Sequence, residues 1–175
     1  TGAMVNAMKF IFEEKRFFYR QVNHVALQPV DTKEISDHVV KGFLNGMGKS
    51  FDRNLAMGAC ELLKSNLWYS NYLAAICDAL SKGFVTEAMM TDALESMISV
   101  HQIRFMSIVN DLTDHQLSLL RAVLDGVVKF SASDVIEKYH LNSSANVRRV
   151  KDALKKKEVI TFNEKDEPLV IDPLF

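Results

Sequence analysis

The residues best placed to do chemistry lie late in the chain, in the run SSANVRRVKDALKKKE. Val147, Val150 and Leu154 recur there at helical spacing and mark a stripe to be buried. At about 100° per residue, Arg148, Arg149, Lys155 and Lys156 fall on the opposite side, with Lys151 and Lys157 nearer its borders. A recognition helix offers cations to phosphates and base edges in this way, and Ser144 and Asn146 at its start add hydrogen-bonding groups. Asp152 sits in the middle of this face, where it repels phosphate. A second reading stays open, in which the helix is a solvated or protein-docking face whose late lysines favour the C-terminal end of the macrodipole. The acidic run with Glu164, Asp166 and Glu167 speaks for docking, because a DNA-binding wing is more often basic.

A second cluster is aromatic. Trp68, Tyr69 and Tyr72 surround the expected start of a helix, where free backbone N–H groups can meet an anion or a nucleotide. Asn66, Trp68 and Tyr69 are therefore the candidate cofactor-binding residues, against the plainer reading that such aromatics are core. The five histidines, His24, His38, His101, His115 and His140, show no metal-ligand spacing, and no metal site is expected. No G-x-S-x-G, no G-x-x-x-x-G-K-[ST] and no paired Cys and His suggest catalysis. Acidic residues are dispersed, and the eight methionines follow apolar stripes. No catalytic residue is expected.

Composition bounds the remaining choices. The chain has 175 residues, a formal net charge of -1, 48% hydrophobic and 25% charged residues. That suits one domain or two small ones and excludes disorder. No stretch approaches the roughly 18 apolar residues that would span a bilayer, so no membrane partner is expected. A pI near 6.5 disfavours capture of nucleic acid by the whole chain but leaves room for a local basic patch. Cys60 and Cys77 lie far apart in apolar helical contexts, without C-x-x-C spacing. With no secretory pattern at the start, they fit a reducing cytoplasm. Thr1-Gly2-Ala3-Met4 reads as an expression remnant.

The elements that must position these residues are mostly helical, since 7 Gly and 3 Pro are few for this length. VNHVALQPV suggests a short strand over Val22–Val30 with an exit at Pro29, after the aromatic-rich FEEKRFFYRQ. Asp31 with Glu34 resembles a capping box and opens a helix with Ile35, Val39, Phe43 and Leu44 inward, stopping at Gly46-Met47-Gly48. A second helix, about Asp52 to Lys64, points Leu55, Ala59, Leu62 and Leu63 inward. A third, about Tyr69 to Ser81, uses Tyr72, Leu73, Ile76 and Leu80 and stops at Gly83. A fourth, from between Thr86 and Asp92 to about Asn110, uses Met89, Leu94, Met97, Ile98, Ile103 and Phe105. Residues 31–110 thus form a four-helix bundle.

Texture changes near Asp111. LTDHQLSLLRAVLDG reads as a helix capped by Thr113 and stopped by Gly126, and SASDVIEKYHL as a shorter one capped by Ser131 or Ser133. The cationic helix follows, capped by Ser143 or Ser144, and VITFNEKDEPLVI reads as strand, turn and strand with Asn163 to Glu167 at the tip. Three helices and a hairpin, over 111–175, are the order of a winged helix-turn-helix module. The fold class is therefore mainly α: a helical bundle, then a winged helix with a small β-hairpin.

With these pieces in place, Phe12 to Phe175 resembles the C-terminal half of the archaeal-type P-loop ATPases, a branch of the AAA+/STAND superfamily. FFYRQVNHVALQPVDTKEISDHVVKGF resembles that family's last core strand and the start of its helical lid. LTDHQLSLLRAVLDG and LNSSANVRRVKDALKKKEVI are similar to its winged helix, and VIDPLF to its DP-[LF]-F signature. The resemblance implies that 1–30 holds a tag remnant and the tail of an ATPase core, 31–110 a lid and 111–175 the winged helix. It implies a lid that transmits nucleotide state to a winged helix bound to double-stranded DNA, or docked on the core instead. The partners implied are an upstream ATPase core, possible duplex DNA and possible copies of the same chain, with ATP and Mg²⁺ as cofactors of the parent chain.

The chain departs from the family in three places. Walker A and Walker B residues should lie upstream of Val5, so these residues alone are not expected to hydrolyse ATP. The family's G-x-P turn in the lid is replaced by Ser65-Asn66-Leu67-Trp68, which puts a family-like approach to the nucleotide in doubt. The family continues past DP-L-F, so the resemblance implies that Phe175 is a cut point.

Overall fold

The computed structural model describes residues 4–14, 18, 21, 25 and 30–175, with the backbone alone at Met47. The strand expected over Val22–Val30, with Pro29 and His24, lies outside the described residues apart from Val25 and Val30. The chain is mainly helical and divides into two compact units. One comprises the described residues of Ala26–Arg104 with Leu174; the other comprises the described residues up to Val25, Phe105–Pro173 and Phe175.

The first unit contains α2 (Thr32–Met47), α3 (Arg53–Leu62), α4 (Leu67–Leu80) and most of α5 (Glu87–Asn110). Asp31 caps α2 by accepting from the Lys33 N–H at 2.8 Å, and Gly48 ends it in the left-handed region at φ 62°. Asp52 caps α3 through the Asn54 and Leu55 N–H groups, both at 2.9 Å. The core joins Val39 and Phe43 of α2 to Ala56 and Ala59 of α3, Leu73 and Cys77 of α4, and Ala93 and Met97 of α5. A parallel bridge between β1 (Ser50–Phe51) and β2 (Phe84–Val85) ties the two interhelix loops together. Phe51 then packs edge-on against Phe43, with centroids 5.1 Å apart.

Several expected inward residues point outward. Leu44 is 63% exposed and Leu62 61%, because each falls next in sequence to a stripe residue, or one step before it, and is rotated about 100° off the buried face. Leu80, Ile98 and Ile103 are likewise exposed, and in α5 the buried residues are Ala93 and Met97. Gly83 does not stop α4: the helix ends when Ser81 turns extended (φ -89°, ψ 143°), and the Gly83 carbonyl accepts from the Ser50 N–H at 2.8 Å.

The second unit is the winged helix. It contains α6 (Asp114–Leu124), α7 (Ser133–Lys138), α8 (Ser144–Lys156) and the antiparallel pair β3 (Ile160–Phe162) and β4 (Pro168–Val170). The Gln116 side chain closes the start of α6 by accepting from the Thr113 N–H at 3.1 Å. Gly126 (φ 78°) reverses the chain, and the Val127 N–H returns to the Ala122 carbonyl at 2.9 Å. α7 is preceded by Ala132, not by a serine cap, and its side chain makes no capping bond. The turn into α8 uses positive φ at His140 and Asn142, and Ser143, not Ser144, is the cap, accepting from the Asn146 N–H at 3.2 Å.

Leu119, Leu120 and Val123 of α6 meet Val147, Val150 and Leu154 of α8 and Ile160 of β3 in one core. A short α1 (Val5–Lys9), continued by a π-helical turn over Phe10–Glu14, belongs to the same unit. Sequence patterning contains no sign of it.

Candidate nucleic-acid interface

The three stripe residues of α8 are buried: Val147 is 3% exposed, Val150 5% and Leu154 0%. That burial fixes the helix rotation and turns Ser144, Ala145, Arg148, Arg149 and Asp152 to solvent. Lys151 and Lys155 are half-buried at the margins, and Lys156 is exposed near the C-terminal end.

The cations differ in their partners. The side chains of Arg148 and Lys156 have no hydrogen bond or ion pair among the described residues. Arg149 donates to the Asn146 side-chain carbonyl at 2.8 Å, and the Asn146 amide donates to the Leu141 carbonyl at 3.0 Å. Lys151 lies 3.6 Å from Asp166 at the hairpin tip and 4.2 Å from the Phe162 ring centre. Lys155 lies 3.7 Å from Glu14, and Lys157 donates to the Asp111 carbonyl. Among the described residues, Arg148 and Arg149 in the N-terminal half of α8 and Lys156 at its end are thus the cations of this helix without an ion pair, and Asp152 is exposed between them.

The hairpin is built to hold its tip. Asn163 Oδ1 accepts from the Lys165 N–H at 3.0 Å and the Glu167 N–H at 2.9 Å, and the Asn163 amide donates to Glu167 at 2.7 Å. Between α8 and this hairpin runs a groove of about 370 Å³, bordered by Arg148, Lys151, Asp152, Phe162 and Asp166. Its polar rim carries both signs.

The C-terminal end of α8 carries contacts that the sequence concealed. Glu158, at φ 56°, accepts from the Asn6 N–H at 3.0 Å and the Ala7 N–H at 2.8 Å. Asn6 is buried and its amide donates to the Lys155 carbonyl at 2.8 Å and the Ile160 carbonyl at 2.7 Å. Lys9 reaches the Phe162 carbonyl at 3.0 Å. These partners are 149 to 154 residues apart, so no local signal reveals them.

In the other unit the candidate cofactor residues stand at the start of α4. Asn66 is the N-cap, its side-chain carbonyl accepting from the Tyr69 N–H at 3.0 Å. Tyr69 is buried, and its hydroxyl accepts from Arg104 at 3.1 Å. Trp68 is 60% exposed and packs against Tyr69, Tyr72 and His101, with centroids 4.9, 5.4 and 6.0 Å away. The sequence pointed to the tyrosines and missed His101 and Arg104, which come from α5.

Both cysteines are buried. Burial raises the Cys60 thiol pKa and pushes the Cys77 thiol up to about 11. Among the described residues, no cluster of His, Cys, Asp or Glu has the arrangement to hold a metal ion, and no helix is long and apolar enough to cross a membrane.

Comparison with known proteins agrees with the second unit's architecture. Residues 103–175 match the family model described as a probable winged helix domain. No curated protein and no solved structure matches the chain.

Proposed function

We propose that the winged helix binds double-stranded DNA, with the N-terminal half of α8 as its contact surface. The observation that carries this reading is the exposed pair Arg148 and Arg149 beside the small Ser144 and Ala145, a surface that can approach a groove closely. In this proposal Arg148 and Arg149 meet phosphates or guanine edges, and Ser144 and Asn146 flank them. Lys156 adds a backbone contact, and Lys151 and Lys155 do so as Asp166 and Glu14 give way. An NMR titration of the whole chain with a generic duplex tests it. Amide shifts concentrated over Ser144–Asp152 are expected, and shifts confined to other elements would overturn the assignment.

The resemblance extends the proposal to a wider setting. There the chain is the lid and winged-helix region of a P-loop ATPase, whose upstream core holds ATP and Mg²⁺ and works in the cytoplasm. In that setting Asn66, Trp68 and Tyr69 mark the end of the lid nearest the nucleotide, and Trp68 is the exposed one of the three. The motif likeness alone supports this part.

Exposed Asp152 and the acidic hairpin tip favour a second reading, in which α8 docks on protein, either the ATPase core or a copy of this chain. Shifts over α8 on adding the core, with none on adding duplex, would select it.

A further inference from the structure

We propose that α1 and its π-helical turn form an autoinhibitory strap on the recognition helix, holding the C-terminal half of α8 away from duplex DNA. The inference rests on the DNA-binding reading above. Two sets of interactions make the strap. Asn6 and Glu158 fasten α1 to the end of α8, and Glu14 lies beside Lys155, one of the cations that a phosphate would otherwise engage.

The attachment is polar and incomplete. Asn6 is the buried residue of α1, while Val5 and Phe10 remain 38% and 42% exposed. An element built to complete a core would bury such side chains. Instead, a largely apolar groove of about 430 Å³ runs between Met4, Ala7 and Phe10 on one side and Lys155 and Lys156 on the other.

The docked state also carries a cost. Among the described residues Asn6 Oδ1 is buried with no donor, so its desolvation is uncompensated. A strap held in this way can be displaced. A DNA phosphate and the Glu14 carboxylate compete for Lys155, so binding along the full length of α8 and docking of α1 oppose each other.

The test measures duplex affinity of the whole chain over a salt series in four variants: Asn6→Ala, Glu14→Gln, Glu13→Gln and Arg148→Ala. Asn6→Ala and Glu14→Gln are expected to bind roughly 3- to 10-fold tighter, as a larger fraction becomes competent. For Glu14→Gln the slope of log affinity on log salt steepens by about 0.9, the value for one freed cation. Glu13→Gln, the same charge change one residue earlier, should have a much smaller effect. Adding duplex should speed amide exchange at Asn6 and Ala7.

Arg148-sensitive binding that Asn6→Ala and Glu14→Gln leave unchanged would overturn the strap alone, as would equal tightening by Glu13→Gln. Binding insensitive to Arg148→Ala would overturn the DNA-binding reading of α8. Absence of binding in every form would overturn both. Glu14→Gln alters an exposed side chain, so the test survives if Asn6→Ala compromises folding.

Discussion

Arg149 donates to the side-chain carbonyl of Asn146 at 2.8 Å, one turn earlier on α8. Asn146 is held in turn by its own amide on the Leu141 carbonyl, so the turn before the helix positions a guanidinium on its outer face. Asn146→Ala removes both bonds, while the Leu141 carbonyl keeps the Ser143 N–H at 2.9 Å. The expected result is a stability loss of about 1 kcal/mol by urea denaturation, with duplex affinity reduced several-fold because Arg149 loses its brace. Unchanged affinity would mean that Arg149 acts without it.

Asp152 discriminates between the two functional readings. It is exposed in the middle of the cationic face and borders the grooves on both sides of α8. On the DNA reading, Asp152→Asn removes a repulsion and tightens generic duplex binding by roughly 2- to 5-fold, with the gain fading as salt rises. On the docking reading, the same change leaves DNA affinity at background and weakens the protein complex.

Leu154 connects the recognition helix to the hairpin through one core. Its side chain is fully buried beside Leu119 and Ile160. Leu154→Ala should cost about 2–5 kcal/mol, read as a lower urea midpoint for the winged helix. A loss below about 1 kcal/mol would contradict the packing described.

The Cys77 thiol gives a pH signature. Its pKa in the folded chain, about 11, lies above the ordinary 9.0, so the folded state holds the proton more tightly than the unfolded state. Its contribution to stability is therefore complete below pH 9 and is lost as pH rises from about 9 towards 11. Urea midpoints should fall across that window less steeply in Cys77→Ala than in the parent chain. A native thiol that reacts freely with a disulfide reagent at pH 8 would contradict the burial.

The sequence made the winged helix legible where a periodic or stereochemical constraint was local. Val147, Val150 and Leu154 announced the buried face of α8, and Gly48 and Gly126 announced reversals that need positive φ. Stripe edges were harder to read, because residues one step off the buried face, such as Leu44 and Leu62, are apolar yet point outward. Gly83 misled because a glycine near a helix end need not be the residue that turns it. The two-residue bridge of Phe51 and Val85 is too short to leave a pattern.

For the candidate interface, spacing revealed which cations share a face but not which of them are already engaged. That depended on Asp166 across the hairpin and on Glu14 from the other end of the chain.

The most direct test of the central claim is fluorescence anisotropy of the whole chain with a labelled generic duplex across a salt series, repeated with the Arg148→Ala, Arg149→Ala double variant. Affinity should fall steeply with salt, with a slope shallower by about 1.8 in the double variant, the value for two phosphates no longer neutralised. Salt-insensitive binding, or binding that the double variant leaves unchanged, would contradict it and make the outer face of α8 a surface for protein.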